Sequence, residues 1–161
     1  MKLTDNLFIG DDTFCQPGGS NIAVVHGCKT CHQRILNYKG SLPNTHAYYL
    51  VYPQPYSLFL NLIDPPIPLF KIESFKAFLN WTMLHVDAAR PVLIHCNSGL
   101  SRAPSLALLL LSKGQNLITD ESFDAARAEF MEKYLGTTAG LERYQPGKGI
   151  EVFLKEHWGE I

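Results

Sequence analysis

The stretch Leu93–Leu111, LIHCNSGLSRAPSLALLLL, carries the reading of the whole chain. Its first residues complete a short buried strand, Val92–His95. Its last form an apolar helix that starts at Ser101 or Arg102 and runs to Lys113-Gly114, with Pro104 tolerated in the first turn. Between them lies a small, uncharged loop, Asn97, Ser98, Gly99, Leu100 and Ser101, bracketed by Cys96 and Arg102. A strand, a tight loop and a helix in that order build an anion site. The loop aims successive backbone N–H groups at one point, and the helix N-terminus adds partial positive charge. Ser98 and Gly99 let the backbone bend closely round an anion. Arg102 offers a planar fork that matches two phosphate oxygens. The same field favours the thiolate of Cys96 and aims it at any phosphorus held above the loop. His95 is expected to orient the loop by hydrogen bonding, since an ionised nucleophile needs no base. A purely structural reading fits poorly, because arginine at a helix N-terminus opposes the macrodipole unless an anion compensates.

Working outward, Leu7–Ile9 and Asn21–Val25 read as short strands, the second ending at His26-Gly27. The polar segment from Cys28 to Tyr48 reads as loop with a helical turn. Tyr48–Tyr52 and Leu58–Leu62 are strand candidates separated by Pro53-Gln54-Pro55. The prolines after Asp64 exclude regular structure. Ile72 to Ala89 has apolar residues at helical spacing and stops before Pro91. Thr119 or Asp120 is the expected N-cap of a helix through Tyr134, and Gly149–Trp158 the last helix. Strands alternating with helices predict an α/β three-layer sandwich, a mostly parallel central sheet flanked by helices, in one domain over residues 1–161.

Composition sets the outer bounds. The 161 residues are 46% hydrophobic and 18% charged with net charge −1, which favours a folded domain and gives no electrostatic reason to expect nucleic acid or anionic membrane as partner. The opening MKLTDNLFIG lacks the apolar core of a secretory signal, and Leu106 to Leu111 is far short of a membrane span. Four cysteines are too few for a disulfide scaffold in a chain of this length, so reduced thiols and a cytoplasmic location are expected.

His95-Cys96, the five residues NSGLS, and Arg102 together resemble the signature of the cysteine-dependent protein tyrosine and dual-specificity phosphatases. The resemblance implies that Cys96 attacks the phosphorus, Arg102 and the loop hold the phosphoryl oxygens, and an upstream aspartate protonates the leaving group. Asp64, which follows the strand Leu58–Leu62, stands where that general acid is expected. DESFDAARAEFMEKY and PGKGIEVFLKEHW resemble the family's two C-terminal helices. The implied activity is hydrolysis of phosphotyrosine through a phosphocysteine, with phosphoserine and phosphothreonine as the wider alternative. The implied partner is a phosphorylated protein, and the chemistry needs no metal or cofactor. A phosphate-binding pseudophosphatase is the competing reading. RNA 5′-triphosphatase and phosphoinositide phosphatase are weaker ones, given the near-neutral chain and the uncharged loop. One position departs from the pattern: Ala103 stands where the family usually carries Ser or Thr, as in the similar Ala-Pro loop of the phosphatases of regenerating liver. Slow phosphoenzyme hydrolysis is expected, with Ser101 a poor substitute for the missing hydroxyl.

The motif HGCKTCH, residues 26–32, places Cys28 and Cys31 at C-x₂-C spacing between two histidines. Structural zinc sites close with a second ligand pair downstream. Only His46 is nearby, so no metal is expected. Cys28 instead follows a strand expected to neighbour that of Cys96, where it could trap the oxidised nucleophile as a disulfide. Lys29, His32, Lys39 and His46 are either rim residues of the site or solvated loop. Phe75, Phe78 and Trp81 are core at helical spacing.

Overall fold

The computed structural model describes residues 1–136 and 140–161. Four short parallel strands lie side by side: β1 (Leu7–Gly10), β5 (Val92–His95), β2 (Ala23–His26) and β4 (Ser57–Leu60). A fifth, β3 (Val51–Pro53), pairs antiparallel with β4 at the edge, giving the order β1-β5-β2-β4-β3. The mostly parallel sheet is therefore as expected. Strands buried on both faces need helices on both faces, and β2, β4 and β5 are buried at every position.

One face is covered by α2 (Ile72–Asp87) over β3 and β4, and by α3 (Arg102–Leu109) over β5 and β1. The helix α3 is buried along its whole length and continues as a wider π-turn through Gly114. Behind it pack α4 (Phe123–Phe130, extended to Leu135 by a second π-turn) and α6 (Lys148–His157), with the short α5 (Gly140–Arg143) between them in sequence. The opposite face carries α1 (Lys29–Leu36). Successive residues of a strand point to opposite faces. Ile94 accordingly joins the core beneath α3, while the His26 and His95 rings turn toward α1.

Several elements differ from the expectation for identifiable reasons. The segment after Cys28 is a two-turn helix, because Cys31 and His32 are buried against the sheet although their neighbours are polar. The edge strand begins at Val51, three residues later than the aromatic run suggests, and ends on Pro53, which an edge tolerates because no partner needs its N–H. The cap of α4 is Ser122, whose Oγ accepts from Ala125 N–H at 3.2 Å. Thr119 and Asp120 lie outside that helix, and Thr119 N–H is held by the Glu129 carboxylate. Among the described residues no helix is long and apolar enough to cross a membrane.

Candidate active site

Strand β5 delivers Cys96 to the carboxyl end of the sheet, and α3 begins six residues later at Arg102. The turn between them is shaped by contacts from below. Cys96 N–H donates to Gly10 O at 3.2 Å and Asp12 N–H to Asn97 O at 3.2 Å, tying the loop to the end of β1. Gly99 has φ +72°, and a Cβ there would press within 3.1 Å of the Gly10–Asp11 backbone, so both conformation and space call for glycine.

The loop is lined with donors. Ala103 N–H, in the first turn of α3, donates to Cys96 Sγ at 3.4 Å. The backbone N–H groups of Asn97, Ser98, Gly99, Ser101 and Arg102 have no acceptor among the described residues, whereas Leu100 N–H meets Ser98 Oγ at 3.4 Å. Cys96 is fully buried among these donors. A ring of unpaired N–H groups at the head of a helix is the arrangement that binds an anion.

Arg102 is locked rather than free. Its Nη1 donates to Leu62 O at 2.9 Å and its Nη2 to Asn97 Oδ1 at 2.8 Å. Its Nε is buried without a hydrogen-bond partner, with Asp64 Oδ2 at 3.8 Å. Asn97 is held in turn by donating from Nδ2 to Thr30 Oγ1 at 3.1 Å. Asp64 therefore reaches the same site from the loop after β4. It is pressed there by the 145–147 segment, where a side chain at Gly147 would collide with its carboxylate. That segment also crosses the loop itself, through Gln145 N–H to Leu100 O at 2.8 Å and Gly147 N–H to Ser101 Oγ at 2.8 Å.

Two hydroxyls lie near Ala103, and neither meets Cys96 Sγ. Ser101 Oγ accepts from Gly147, and Ser105 Oγ donates to Ser101 O at 2.7 Å while meeting the Tyr144 hydroxyl at 3.0 Å. His95 Nε2 lies 2.8 Å from His26 Nδ1 and 4.0 Å from Cys31 Sγ. Burial lowers the pKa of His95, and lowers that of His26 to about 3, so both rings are neutral.

Cys28 is buried just beyond β2, next to β5, where Gly27 N–H donates to His95 O at 2.8 Å. Hydrogen bonding from the Cys31 thiol draws Cys28 below the ordinary thiol range. Of the supposed rim residues, His32 is buried, hydrogen-bonded to the Tyr38 hydroxyl and Tyr48 O at 2.9 Å each, and is structural. Lys29 does line a cleft of about 410 Å³ beside Leu62, together with Lys71, Ile63 and Leu69. His46 and Lys39 are exposed. Cys15 belongs to no motif, yet it stands 3.4 Å from Cys31 and 3.8 Å from His26 Nδ1. No local spacing announces it; only the strand order brings it there.

No protein-family model matches the sequence, and no curated protein is detectably similar to it. Solved structures are similar in fold. The human tyrosine phosphatase-like serine/threonine/tyrosine-interacting protein aligns with TM-score 0.64 at 16% identity, covering 99% of this chain and 95% of that one. Human DUSP28 aligns with TM-score 0.64 at 14% identity over 99% and 95% of the two chains. The PTP-2 phosphatase of Cydia pomonella gives TM-score 0.60 at 19% identity over 96% and 87%. The chain has the dual-specificity and protein tyrosine phosphatase fold.

Proposed function

We propose that the protein is a cysteine-dependent phosphoprotein phosphatase. The observation that carries this reading is the placement of Cys96 Sγ under the Ala103 N–H, within a loop of unpaired donors closed by Arg102. A phosphoryl group seated on those donors and on Arg102 Nε presents its phosphorus to the thiolate, in line with the leaving oxygen. Cys96 forms the S–P bond while the P–O bond breaks, and Asp64 gives its proton to the departing phenol or alcohol. Asp64 then takes a proton from water as that water attacks the phosphocysteine, releasing phosphate and restoring the thiolate. The loop N–H groups and guanidinium offset the charge on the equatorial oxygens, which is most of the protein's work in phosphoryl transfer. The lysine-bearing cleft beside Leu62, with apolar Ile63 and Leu69 on its wall, suits the chain around a phosphorylated residue, phosphotyrosine first and phosphoserine or phosphothreonine with it.

A second reading rests on Ala103. With Ser105 donating to Ser101 O, and Ser101 Oγ meeting Gly147 rather than Cys96, the thiolate leaving in the second step has no hydroxyl in place beside it, and a protein that holds phosphate but turns over little would look the same. The human protein of similar fold is called phosphatase-like and interacting, words that fit such a role in that protein. Stopped-flow release of product from an aryl phosphate separates the two. A stoichiometric burst followed by steady turnover, both absent in Cys96→Ser, is expected. Release no faster than in Cys96→Ser, from protein that still binds phosphate, would sink the enzyme reading.

A further inference from the structure

The sheet face opposite α3 holds a constellation that phosphoryl transfer does not use. Cys15, His26, Cys31 and His95 each direct one thiol or imidazole atom to a common point, and these four atoms all lie within 4.8 Å of one another. Cys31, His26 and His95 are buried, and Cys15 is half-buried. We propose that these four residues bind a divalent metal ion, zinc by preference, as a tetrahedral structural site directly beneath the phosphate-binding loop. This assignment stands apart from the phosphatase reading, since no catalytic group is among the ligands.

The donor set points to the ion. Two thiolates and two neutral imidazoles, with no carboxylate, suit zinc far better than calcium, magnesium or manganese. Their spacing also fits. Zn–S bonds of about 2.3 Å and Zn–N bonds of about 2.0–2.1 Å, arranged tetrahedrally, require ligand atoms roughly 3.3–3.8 Å apart. Here Cys15 Sγ and Cys31 Sγ are 3.4 Å apart, Cys15 Sγ and His26 Nδ1 3.8 Å, and Cys31 Sγ and His95 Nε2 4.0 Å. The imidazole pair, at 2.8 Å, must open by about half an ångström as its shared hydrogen bond gives way to two metal bonds, and the wider pairs, up to 4.8 Å apart, must draw in.

Charge closes as well. Two thiolates neutralise the dication, so the filled site carries no net charge into a buried setting, and the two thiol protons go to water. Arg34 Nη1 also donates to Cys15 Sγ at 3.5 Å. A cleft of about 320 Å³ lined by Cys15, Gln16, Arg34 and Gln54 opens onto the cluster and provides a way in. The ligands come from four separate segments: the turn after β1, the end of β2, α1 and the end of β5. One ion would therefore fasten α1 and the turn after β1 to the strand that launches the catalytic loop.

The test uses the full chain without a polyhistidine tag, prepared under thiol reductant. Metal content of the purified protein is measured, and the chelator-stripped protein is titrated with cobalt(II). About one zinc per chain is expected. Cobalt should give thiolate charge-transfer absorption and the strong visible bands of tetrahedral cobalt. Those bands should survive in Cys96→Ser and Cys28→Ser. In Cys15→Ser, Cys31→Ser and His26→Gln the apparent affinity should fall at least about tenfold. Where a ligand variant does not fold, the wild-type cobalt spectrum decides alone. A wild-type spectrum without tetrahedral bands overturns the proposal. So does a spectrum unchanged by Cys15→Ser and Cys31→Ser, or a Cys15–Cys31 disulfide found by peptide mapping of the reduced preparation.

Discussion

His95 and Cys96 are consecutive residues of one strand end, and they belong to two different constellations. Cys96 faces α3 and the unpaired N–H groups of its own loop. His95 faces the other way, to His26 of the neighbouring strand and to Cys31 of α1. The first constellation is nearly contiguous in sequence, seven residues from Cys96 to Arg102 with Asp64 added. The second gathers residues 15, 26, 31 and 95, of which only His26 and Cys31 share a motif. A pleated strand lets a single pair of neighbours serve both sides of the sheet. The same alternation lets chemistry on one side be altered without touching ligands on the other.

The largest effect should come from removing the nucleophile. Cys96→Ser is expected to lower turnover of an aryl phosphate by about 10⁴–10⁶-fold, the scale seen when a covalent nucleophile is lost. Its thermal unfolding midpoint should stay close to that of the parent, because the His95 side is left intact. A large fall in that midpoint would show that the two faces are not separable. Arg102→Lys comes next. Lysine keeps the charge but cannot span Leu62 O and Asn97 Oδ1 while offering a third donor to phosphate, so a drop of about 10²–10³-fold in kcat is expected. Retention of more than a tenth of parent activity would argue that the loop N–H groups hold the phosphoryl group by themselves.

Asp64→Asn should cost about 10²-fold with a poor leaving group and much less with an activated aryl phosphate, whose phenolate departs without a proton. Equal losses on both would remove Asp64 from the acid role and leave it as a brace for Arg102, 3.8 Å away. Ala103→Ser tests the departure from the usual loop. A hydroxyl there would donate to the thiolate as it leaves the phosphocysteine. The burst should shrink and steady turnover should rise about tenfold, worth roughly 1.4 kcal/mol of barrier. An undiminished burst would place the slow step elsewhere.

These expectations also mark how far the sequence can be read. The loop from Cys96 to Arg102 is legible because its physics is local: a strand, glycine where φ turns positive, and a helix head all lie within a few residues. Asp64 is legible only through the family resemblance, since nothing in DPPIP says which way a carboxylate faces. The zinc-like spacing of Cys28 and Cys31 misleads in its particulars. Cys31 joins a cluster, while Cys28 stays out of it beside the Cys96 strand, and His46 is exposed and remote from both roles. Cys15 is invisible in the sequence, because its partners are set by β2 lying between β5 and β4 rather than by any spacing. The cap of α4 is displaced from its expected place by two or three residues for a plainer reason. Thr119, Asp120 and Ser122 are all good caps, and only the Glu129 carboxylate on Thr119 N–H decides among them.

The smallest predicted effect uses a histidine outside both constellations. His85, buried on α2, accepts from Arg90 Nη1 at 2.8 Å through Nδ1 and packs edgewise on Trp81 with ring centroids 4.2 Å apart. Burial, and then the Arg90 charge, hold its pKa below the ordinary histidine value of 6.5. The folded state thus resists a proton that the unfolded chain takes up readily. The stability this histidine contributes is complete above pH 6.5 and drains away as pH falls below it. His85→Asn keeps an acceptor for Arg90 but cannot titrate. It should remove a loss of about 2 °C from the fall in unfolding midpoint between pH 7 and pH 5. An identical pH profile in the variant would mean that Arg90 turns aside at little cost when His85 is protonated. The acid sensitivity of the fold would then belong to the imidazoles of the sheet face, His26 and His95.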